Sequence, residues 1–364
     1  MPIVAHNALP TFQRLREEGQ TILDPERARQ QTIRELHIGV LNMMPDAALA
    51  ATERQFFRLV GESNPIAQFY MHPFTLPELP RGVQAREHID RYYDTFAQVR
   101  AEGLDALIIT GANVSHPDLS QEPFWEPLRE VFEWAQTNVT SVLCSCLATH
   151  AAMQFQHRQK RRPLPAKCWG VFPHRVIRKN HPLVNDVNTQ FDVPHSRFND
   201  ISAAQFRAAG LHVLVDSAQV GVHLAVSADG FRVVYFQGHP EYDTVSLLKE
   251  YKREVQRFAG GERDDYPPFP EHQFRSRERA ILDEYRDCLL RGRETGAQAP
   301  PFPEQLVAAR LDNTWHDTAE GIVGNWIGLV YQLTHQQRAL PFMAGVDPRN
   351  PLGLDWIAGS GSTS

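Results

Sequence analysis

Apolar runs alternate with amphipathic segments along the first half of the chain, and this alternation predicts an α/β fold. Short apolar runs that end at turn-forming residues predict strands at 36–42, 66–71, 104–110 and 139–145. Segments whose apolar side chains recur every three or four residues predict helices at 47–59, 89–100, 124–136 and 147–156. Because buried strands separated by helices are typical of parallel sheets, we expect a mostly parallel sheet flanked by helices.

The middle of the chain has a different pattern, in which several short β-rich runs follow one another closely. These runs lie at 169–177, 212–216, 221–227 and 231–236. Asp229-Gly230 is a turn signal between the last two runs. We therefore expect antiparallel hairpins appended to the parallel sheet, followed by an amphipathic helix at 244–258.

The two ends of the chain are more polar and divide it into four regions. Residues 1–35 are expected to form an N-terminal arm, and residues 36–260 the α/β domain that carries the chemistry. Residues 261–340 hold Pro-rich linkers around predicted helices, which are expected to pack on that domain. Residues 341–364 are predicted to be a poorly ordered tail, because the chain ends in glycine, serine and threonine, a linker composition.

Composition and charge exclude several classes of function. The net charge of −6 over 364 residues gives no basic stripe for nucleic acid, and the one compact basic cluster, 159–162, is expected to be a solvated loop. No apolar run reaches the roughly 18 residues of a membrane span, and the N-terminus has no secretory signal pattern. Four cysteines make no disulfide framework or zinc pattern. We expect a reduced, cytoplasmic protein that binds no metal, nucleic acid or membrane.

Two short segments carry the candidate chemistry. One spans residues 141–150 and contains Cys146, and the other spans residues 236–243 and contains His239 and Glu241. Each reads as the end of a strand that runs into a helix, and the carboxyl ends of parallel strands meet at one edge of a sheet. A thiol, an imidazole and a carboxylate at that edge indicate a cysteine nucleophile with a base and a group that orients the base.

Cys146 is the strongest candidate nucleophile among the thiols. It lies at the start of a helix, where backbone N–H groups such as that of Leu147 can stabilise a thiolate or an oxyanion. Cys144 would be a small core residue within the strand, and nothing near Cys168 marks it. Taken alone, Cys146 could instead be a structural thiol. Taken alone, the segment after residue 238 could instead be an ordinary helix start with an acidic first turn. Their combination favours catalysis.

Several stretches, in order along the chain, resemble one known family. They are Leu41-Asn42-Met43-Met44-Pro45, Thr52-Glu53-Arg54-Gln55-Phe56, Ile109-Thr110-Gly111-Ala112, Pro194-His195-Ser196-Arg197 and Gly238-His239-Pro240-Glu241-Tyr242-Asp243. The chain resembles the cysteine-dependent branch of the homoserine O-acyltransferases, the homoserine O-succinyltransferases, from about residue 36 to 256 and weakly near Asn325-Trp326. The resemblance implies a flavodoxin-like, class I glutamine amidotransferase-like fold. It also implies succinyl transfer from succinyl-CoA to the hydroxyl of L-homoserine in methionine biosynthesis.

The resemblance implies roles for single residues. Cys146 would be acylated, His239 would act as general base and acid, and Glu241 would orient the imidazole. The residues matched to substrate binding are Lys167, Ser196 and Arg253. The resemblance implies small-molecule substrates, no cofactor beyond the co-substrate succinyl-CoA, and a homodimer.

Three positions bear on how far this chain follows the family. Leu147 stands where the family usually has tryptophan, and Asn113 where it usually has proline. Ser115 falls at the family's position for donor choice, where a bulky acidic residue goes with acetyl-CoA and a small residue with succinyl-CoA. Serine is small and neutral, so it would not repel the second carboxylate of a succinyl group.

Other readings remain open at this point. Acetyl-CoA is an alternative donor and L-serine an alternative acceptor, since one methylene discriminates by only about 1–3 kcal/mol. Glutamine amide hydrolysis by the same triad is more remote, because Cys144 and Ala148 replace the glycines that usually frame an amidotransferase nucleophile. A non-catalytic binding module is a further class.

Overall fold

A computed structural model describes residues 3–63, 67–295 and 300–358, and the eleven strands within these ranges form one sheet. The strands are β1 (Ile3–Val4), β2 (Ile22–Leu23), β3 (Glu35–Leu41), β4 (Gln68–Phe74), β5 (Ala106–Ile109), β6 (Ser141–Ser145), β7 (Arg162–Val176), β8 (Gln190–Asp200), β9 (His212–Ser217), β10 (Gly221–Val226) and β11 (Val233–Phe236). The helices are α1 (Pro10–Glu17), α2 (Pro25–Arg29), α3 (Asp46–Ser63), α4 (Val83–Tyr92), α5 (Phe96–Glu102), α6 (Trp125–Asn138), α7 (Leu147–His157), α8 (Ala203–Ala208), α9 (Ser246–Ala259), α10 (Ser276–Thr295), α11 (Glu304–Ala308), α12 (His316–Leu333) and α13 (Asp355–Ala358).

The sheet has a parallel part and an antiparallel part. Its strand order is β2-β1-β4-β3-β5-β6-β11-β10-β9-β7-β8. Neighbouring strands are parallel from β2 to β11 and antiparallel from β11 to β8. The predicted fold class, a mostly parallel sheet with appended antiparallel hairpins, is therefore confirmed.

Helices cover the sheet on both faces, which explains the continuous apolar runs of its central strands. In β5, Ala106 and Ile108 belong to one apolar cluster, and Leu107 and Ile109 belong to another. The first cluster also contains Trp326 of α12, which is almost fully buried and whose Nε1 donates a 2.8 Å hydrogen bond to Ser141 Oγ in β6. This contact ties the C-terminal part of the chain to the strand that ends at the candidate nucleophile.

The helix predicted at 89–100 is interrupted. Helix α4 ends at Tyr92, and α5 starts after Thr95, whose side chain accepts a hydrogen bond from Gln98 N–H at 3.2 Å. The Gln98 side chain accepts in return from Thr95 N–H at 2.8 Å, which completes a capping box. Between the helices, Asp94 N–H bonds to the Pro73 carbonyl oxygen at 2.9 Å. Local capping thus outweighs the continuous apolar spacing.

Residues 3–35, which were predicted to form an N-terminal arm, contribute two strands to the sheet. Strands β1 and β2 extend the parallel sheet at its edge, and Phe12 of α1 packs against Phe57 of α3 with ring centroids 5.9 Å apart. The strand predicted at 66–71 is β4, which begins at Gln68, and residue 66 lies outside the described residues.

Most of the segment predicted as a poorly ordered tail packs on the domain. Trp356 lies 4.3 Å from the His212 ring, edge to face, and the Arg178 guanidinium lies 4.2 Å from its centroid. Leu354 is only 9% exposed. The linker composition is confined to residues 359–364, which lie outside the described residues. It therefore did not predict that Trp356, just before them, packs on the domain.

Residues 261–295 and 300–314 pack over α9 around a third apolar cluster. Tyr251 of α9 is fully buried there, together with Leu282 of α10 and Val307 of α11. Trp315 Nε1 donates a 2.9 Å hydrogen bond to the carbonyl oxygen of Tyr242. In the described ranges, no helix combines the length and apolarity that crossing a membrane requires.

Candidate active site

The strand ends that carry the candidate residues lie side by side. Strands β6 and β11 are parallel neighbours, with Ser145 paired to Phe236. The backbone N–H of Cys146 donates a 2.8 Å hydrogen bond to the Phe236 carbonyl oxygen. The chain therefore leaves both strands at the same level, and the predicted meeting of the two segments at one sheet edge is confirmed.

Cys146 occupies a sharp turn between β6 and α7. Its φ of 52° and ψ of −108° are unusual for a residue with a side chain, and α7 begins at the next residue. The Thr149 hydroxyl holds this turn through contacts of 3.0 Å with the Cys144 carbonyl oxygen and 2.8 Å with that of Phe236. A strained strand-to-helix turn of this kind presents its side chain above the sheet, as nucleophile elbows do.

Burial separates Cys146 from two other thiols. Cys144 is fully buried, and burial raises the pKa of its thiol far above neutral pH. Burial also raises the pKa of Cys168, to about 11. Cys146 is partly exposed and lies at a helix N-terminus. Since only the thiolate is nucleophilic, Cys144 and Cys168 are poor candidates at neutral pH.

His239 and Glu241 form a buried pair. His239 Nδ1 lies 2.8 Å from Glu241 Oε1, and the two residues are 6% and 5% exposed. The ring of Tyr242 stacks on the imidazole with centroids 4.2 Å apart. The Nδ1–H donates to the carboxylate, so the other ring nitrogen, Nε2, is left for the reaction.

Burial and charge act in opposite directions on His239. Burial alone would lower the pKa of His239, but the charges of Glu241 and Cys146 outweigh it and hold this pKa well above 6.5. Nε2 is buried and has no well-formed hydrogen bond within the described residues. Cys146 is one of the groups that raise this pKa, which places its sulfur within electrostatic range of the imidazole. The site therefore favours a protonated imidazole beside the nucleophile at neutral pH.

A third strand end meets the same place. Gly111 follows the end of β5, and a Cβ added to it would lie 3.8 Å from the Cβ of Cys146. The loop that follows carries Ser115, which is exposed and whose N–H donates a 2.6 Å hydrogen bond to Glu122 Oε1. The position predicted to choose the donor therefore lies on an anchored loop that begins beside the candidate nucleophile.

Two of the predicted substrate-binding residues meet at a carboxylate that the sequence did not reveal. Glu250 Oε2 accepts from Lys167 Nζ at 3.1 Å, from Trp169 Nε1 at 3.0 Å and from Ser196 Oγ at 2.6 Å. Its Oε1 accepts from the Tyr242 hydroxyl at 2.7 Å. Burial would raise the pKa of Glu250, but the charge of Lys167 and the hydrogen bonds from Ser196 and Tyr242 lower it.

Tyr242 joins this cluster to the triad, because its ring stacks on His239 while its hydroxyl binds Glu250. Arg253 lies one turn further along α9 and is exposed. Its side chain makes no hydrogen bond or ion pair within the described residues, and no described contact joins it to the cluster. Its binding role stays a prediction, as does the oxyanion role of the Leu147 N–H, which is the first of α7.

Helix α3 fixes the segment after Glu241. Asp243 pairs with Arg54, and its Oδ1 lies 2.5 Å from Arg58 Nη2. Gln55 Nε2 donates to Ser246 Oγ at 2.9 Å. Burial would raise the pKa of Asp243, but the two guanidinium groups lower it. The stretch around Arg54 that resembles the family therefore anchors, from α3, the segment that carries His239 and Glu241.

A chain of buried histidines explains the neighbouring Pro194-His195-Ser196-Arg197 stretch. Arg197 Nε donates to His195 Nδ1 at 3.3 Å, and His195 Nε2 lies 3.2 Å from His174 Nε2. His174 Nδ1 in turn lies 2.8 Å from the Phe172 carbonyl oxygen. This order requires both imidazoles to be neutral, because each ring accepts a hydrogen bond at one nitrogen and donates one from the other. Burial lowers the pKa of His174 to about 4 and that of His195 well below 6.5.

Comparison with known proteins identifies close relatives along nearly the whole chain. A family model described as homoserine O-succinyltransferase matches residues 2–336. The homoserine O-succinyltransferase of Allochromatium vinosum is 71% identical over 354 residues, with 97% of this chain and 99% of that protein covered. The protein of the same name from Methylococcus capsulatus is 63% identical, with 97% and 100% covered. Among solved structures, a glutamine amidotransferase from Thermotoga maritima aligns with a TM-score of 0.44 at 11% identity, over 82% of this chain and 98% of that one.

Proposed function

The chain belongs to the homoserine O-succinyltransferase family, and we propose that it transfers the succinyl group of succinyl-CoA to L-homoserine through a thioester on Cys146. Family membership makes it an acyltransferase that acts on small molecules in methionine biosynthesis. The observation that supports the covalent route is the strained, partly exposed Cys146 beside the buried His239–Glu241 pair.

The first half of the proposed reaction acylates the enzyme. In the resting site His239 has already taken the thiol proton, and the Cys146 thiolate attacks the thioester carbonyl carbon of succinyl-CoA. The oxyanion that forms accepts a hydrogen bond from the Leu147 N–H at the start of α7. The bond from that carbon to the CoA sulfur then breaks, and the His239 imidazolium donates its proton to the departing CoA.

The second half regenerates the thiolate. His239, now neutral, takes the proton of the homoserine hydroxyl through Nε2, and the hydroxyl oxygen attacks the succinyl carbonyl carbon. The bond to Cys146 Sγ breaks, O-succinyl-L-homoserine leaves, and the imidazolium and thiolate are restored. Glu241 stabilises the imidazolium in both halves. The proposed route uses no resident cofactor or metal, because succinyl-CoA is consumed as a co-substrate.

The acceptor is proposed to bind beside Glu250. Lys167 and Ser196 are hydrogen-bonded to that carboxylate, and Tyr242 connects it with His239. An amino acid brings an ammonium group and a carboxylate, which an anion and a cation can hold. Arg253, an exposed cation three residues after Glu250 on α9, is proposed to bind the substrate carboxylate. Ser115 is proposed to admit the succinyl group because it is small and uncharged.

The covalent route predicts exchange without an acceptor. Labelled CoA should exchange into succinyl-CoA in the absence of homoserine, because acylation is complete and reversible before the acceptor binds. Cys146→Ser should abolish this exchange, whereas Cys288→Ser on α10 should leave it unchanged. Exchange that strictly requires homoserine would contradict the acyl-enzyme.

We also infer that the protein is a cytoplasmic homodimer. The family resemblance supports the dimer, and the cysteine pattern supports a reducing compartment. Light scattering on the eluted protein should give twice the 41.4 kDa mass of one chain. The mass of a monomer at the concentrations used for assays would contradict the dimer but would not affect the proposed reaction mechanism.

A further inference from the structure

Arg161 lies across the donor-specificity loop, although the sequence placed it in a solvated basic cluster. Its Nε donates a 3.2 Å hydrogen bond to the Pro117 carbonyl oxygen, and its Nη2 donates a 2.7 Å bond to that of His116. These are the carbonyls that follow Ser115 directly. The guanidinium is therefore fixed on the loop rather than extended into solvent.

The loop that Arg161 holds begins at the nucleophile. A Cβ on Gly111 would lie 3.8 Å from the Cβ of Cys146. The N–H groups of Ser115 and of the next residue each donate a 2.6 Å bond to Glu122 Oε1, and Glu122 is only 7% exposed. Glu122 thus holds the loop through its N–H groups, and Arg161 holds it through its carbonyl oxygens.

The charge of Arg161 reaches the reaction centre and is not neutralised by an ion pair. Burial lowers the pKa of Arg161, and the negative charges of Glu122, Cys146 and Asp118 oppose that shift. In the described ranges no carboxylate lies within ion-pair distance of its guanidinium, and its Nη1 makes no hydrogen bond. Since an arginine stays charged at neutral pH, a cation with an unused donor lies within electrostatic range of the thiol.

We propose that Arg161 binds the terminal carboxylate of succinyl-CoA and thereby selects a negatively charged acyl donor. The planar guanidinium offers donors in the geometry that a carboxylate accepts. The small side chain of Ser115 leaves the space through which the acyl chain reaches it, so one residue permits the charged donor and the other attracts it. This inference rests on the proposed acyl-enzyme, because the thioester on Cys146 fixes where the acyl chain begins.

The test compares two donors that differ only in the terminal group of the acyl chain. Butyryl-CoA has the same four-carbon acyl chain as succinyl-CoA, with a methyl group in place of the carboxylate. Wild type should prefer succinyl-CoA, and Arg161→Gln should reduce the ratio of the two kcat/KM values by roughly ten- to a hundredfold. Arg161→Lys, which keeps the charge but not the planar guanidinium, should reduce this ratio by a smaller factor. Arg162→Gln, at the exposed neighbouring cation, should leave the ratio unchanged.

The ratio separates donor selection from a purely structural role. If Arg161 only holds the loop, Arg161→Gln lowers both kcat/KM values equally, and that result would overturn the inference. If Arg161→Gln does not fold, Arg161→Lys provides the test. An unchanged ratio in Arg161→Lys, together with lowered kcat/KM values for both donors, would also overturn the inference. Intact-mass detection of the succinyl adduct on wild type tests the acyl-enzyme separately. Failure of donor selection is therefore distinguishable from failure of the mechanism.

Discussion

The Ser196 hydroxyl donates a 2.6 Å hydrogen bond to Oε2 of Glu250, a carboxylate whose side chain is 13% exposed. Lys167 binds the same oxygen. The Tyr242 hydroxyl donates to the other carboxylate oxygen, and its ring stacks on His239. Two residues predicted to bind substrate are thus positioned by a third that is 54 residues from Ser196 along the chain. Glu250 is the residue around which the proposed acceptor site is organised.

Glu250→Gln should impair the second half-reaction much more than the first. The amide keeps the size of the side chain but loses the charge that holds Lys167, so we expect the KM for homoserine to rise by roughly ten- to a hundredfold. The rate of CoA release from succinyl-CoA in a single turnover should stay near wild type. Glu254→Gln on the same helix, whose partners are Arg257 and Arg263, is the matched control. Equal losses in both half-reactions would contradict a role confined to the acceptor.

Ser115→Glu should shift donor preference away from succinyl-CoA. A glutamate side chain fills space at the loop and places a negative charge where the succinyl carboxylate is proposed to pass. We expect kcat/KM for succinyl-CoA to fall by roughly tenfold or more relative to acetyl-CoA, measured with both homoserine and L-serine as acceptors. Gln121→Glu adds the same charge at an exposed position after the loop and should leave the ratio unchanged. An unchanged ratio in Ser115→Glu would remove Ser115 from donor choice.

Glu241→Gln should move the alkaline limb of acylation to lower pH. The carboxylate of Glu241 is one of the charges that hold the pKa of His239 well above 6.5 against burial. Without it, the imidazolium that protonates the departing CoA is lost at lower pH. We expect acylation at its optimum to fall by roughly a hundredfold. The pH dependence of the single-turnover rate measures both effects, and an unmoved alkaline limb would show that Glu241 does not set the charge state of His239.

The buried histidine chain should make stability sensitive to acid. The pKa of His174 is about 4 in the folded protein, against about 6.5 in an unfolded chain. The unfolded state therefore binds the extra proton first, so stability is complete above pH 6.5 and is lost as pH falls toward 4. Each pH unit in that window costs about 1.4 kcal/mol for this group, or about 2 kcal/mol from pH 6.5 to 5.

The difference between wild type and His174→Gln isolates this contribution. The free energy of unfolding in urea, measured at pH 7.5 and at pH 5.0, should fall by about 2 kcal/mol more in wild type than in the variant. The variant is expected to be less stable at pH 7.5, because it loses packing against His195. Only the change with pH carries the prediction, and equal losses in the two proteins would mean that His174 does not titrate on unfolding.

Local signals were sufficient to predict that the two segments carrying the candidate triad lie side by side. Cys146 and His239 each follow a short apolar strand, and parallel strand ends meet at one edge whatever the rest of the fold does. Glu241 was predicted to pair with His239 because it lies two residues further along the chain, and the two side chains are in contact. These inferences used only sequence neighbours and the rule for parallel sheets, which explains why the structure bears out the meeting of the strand ends.

The surrounding residues could not be found in the same way. Glu250 receives donors from β7 and β8, and β8 was not predicted, because Pro194 and mixed polar residues break its alternation. Arg161 reads as solvated in a run of charges, since its carbonyl partners lie 44 and 45 residues away. Partners that distant leave no periodic signal in the sequence, so only the fold reveals them.

The most direct test of the central claim is the intact mass of the protein after mixing with succinyl-CoA in the absence of homoserine. Wild type should gain one succinyl group, lose it on addition of homoserine, and release O-succinyl-L-homoserine at the same rate. Cys168→Ser should behave as wild type, while Cys146→Ser should show no such thioester. A wild-type protein that turns over without this adduct, or an unchanged adduct in Cys146→Ser, would contradict acyl transfer through Cys146.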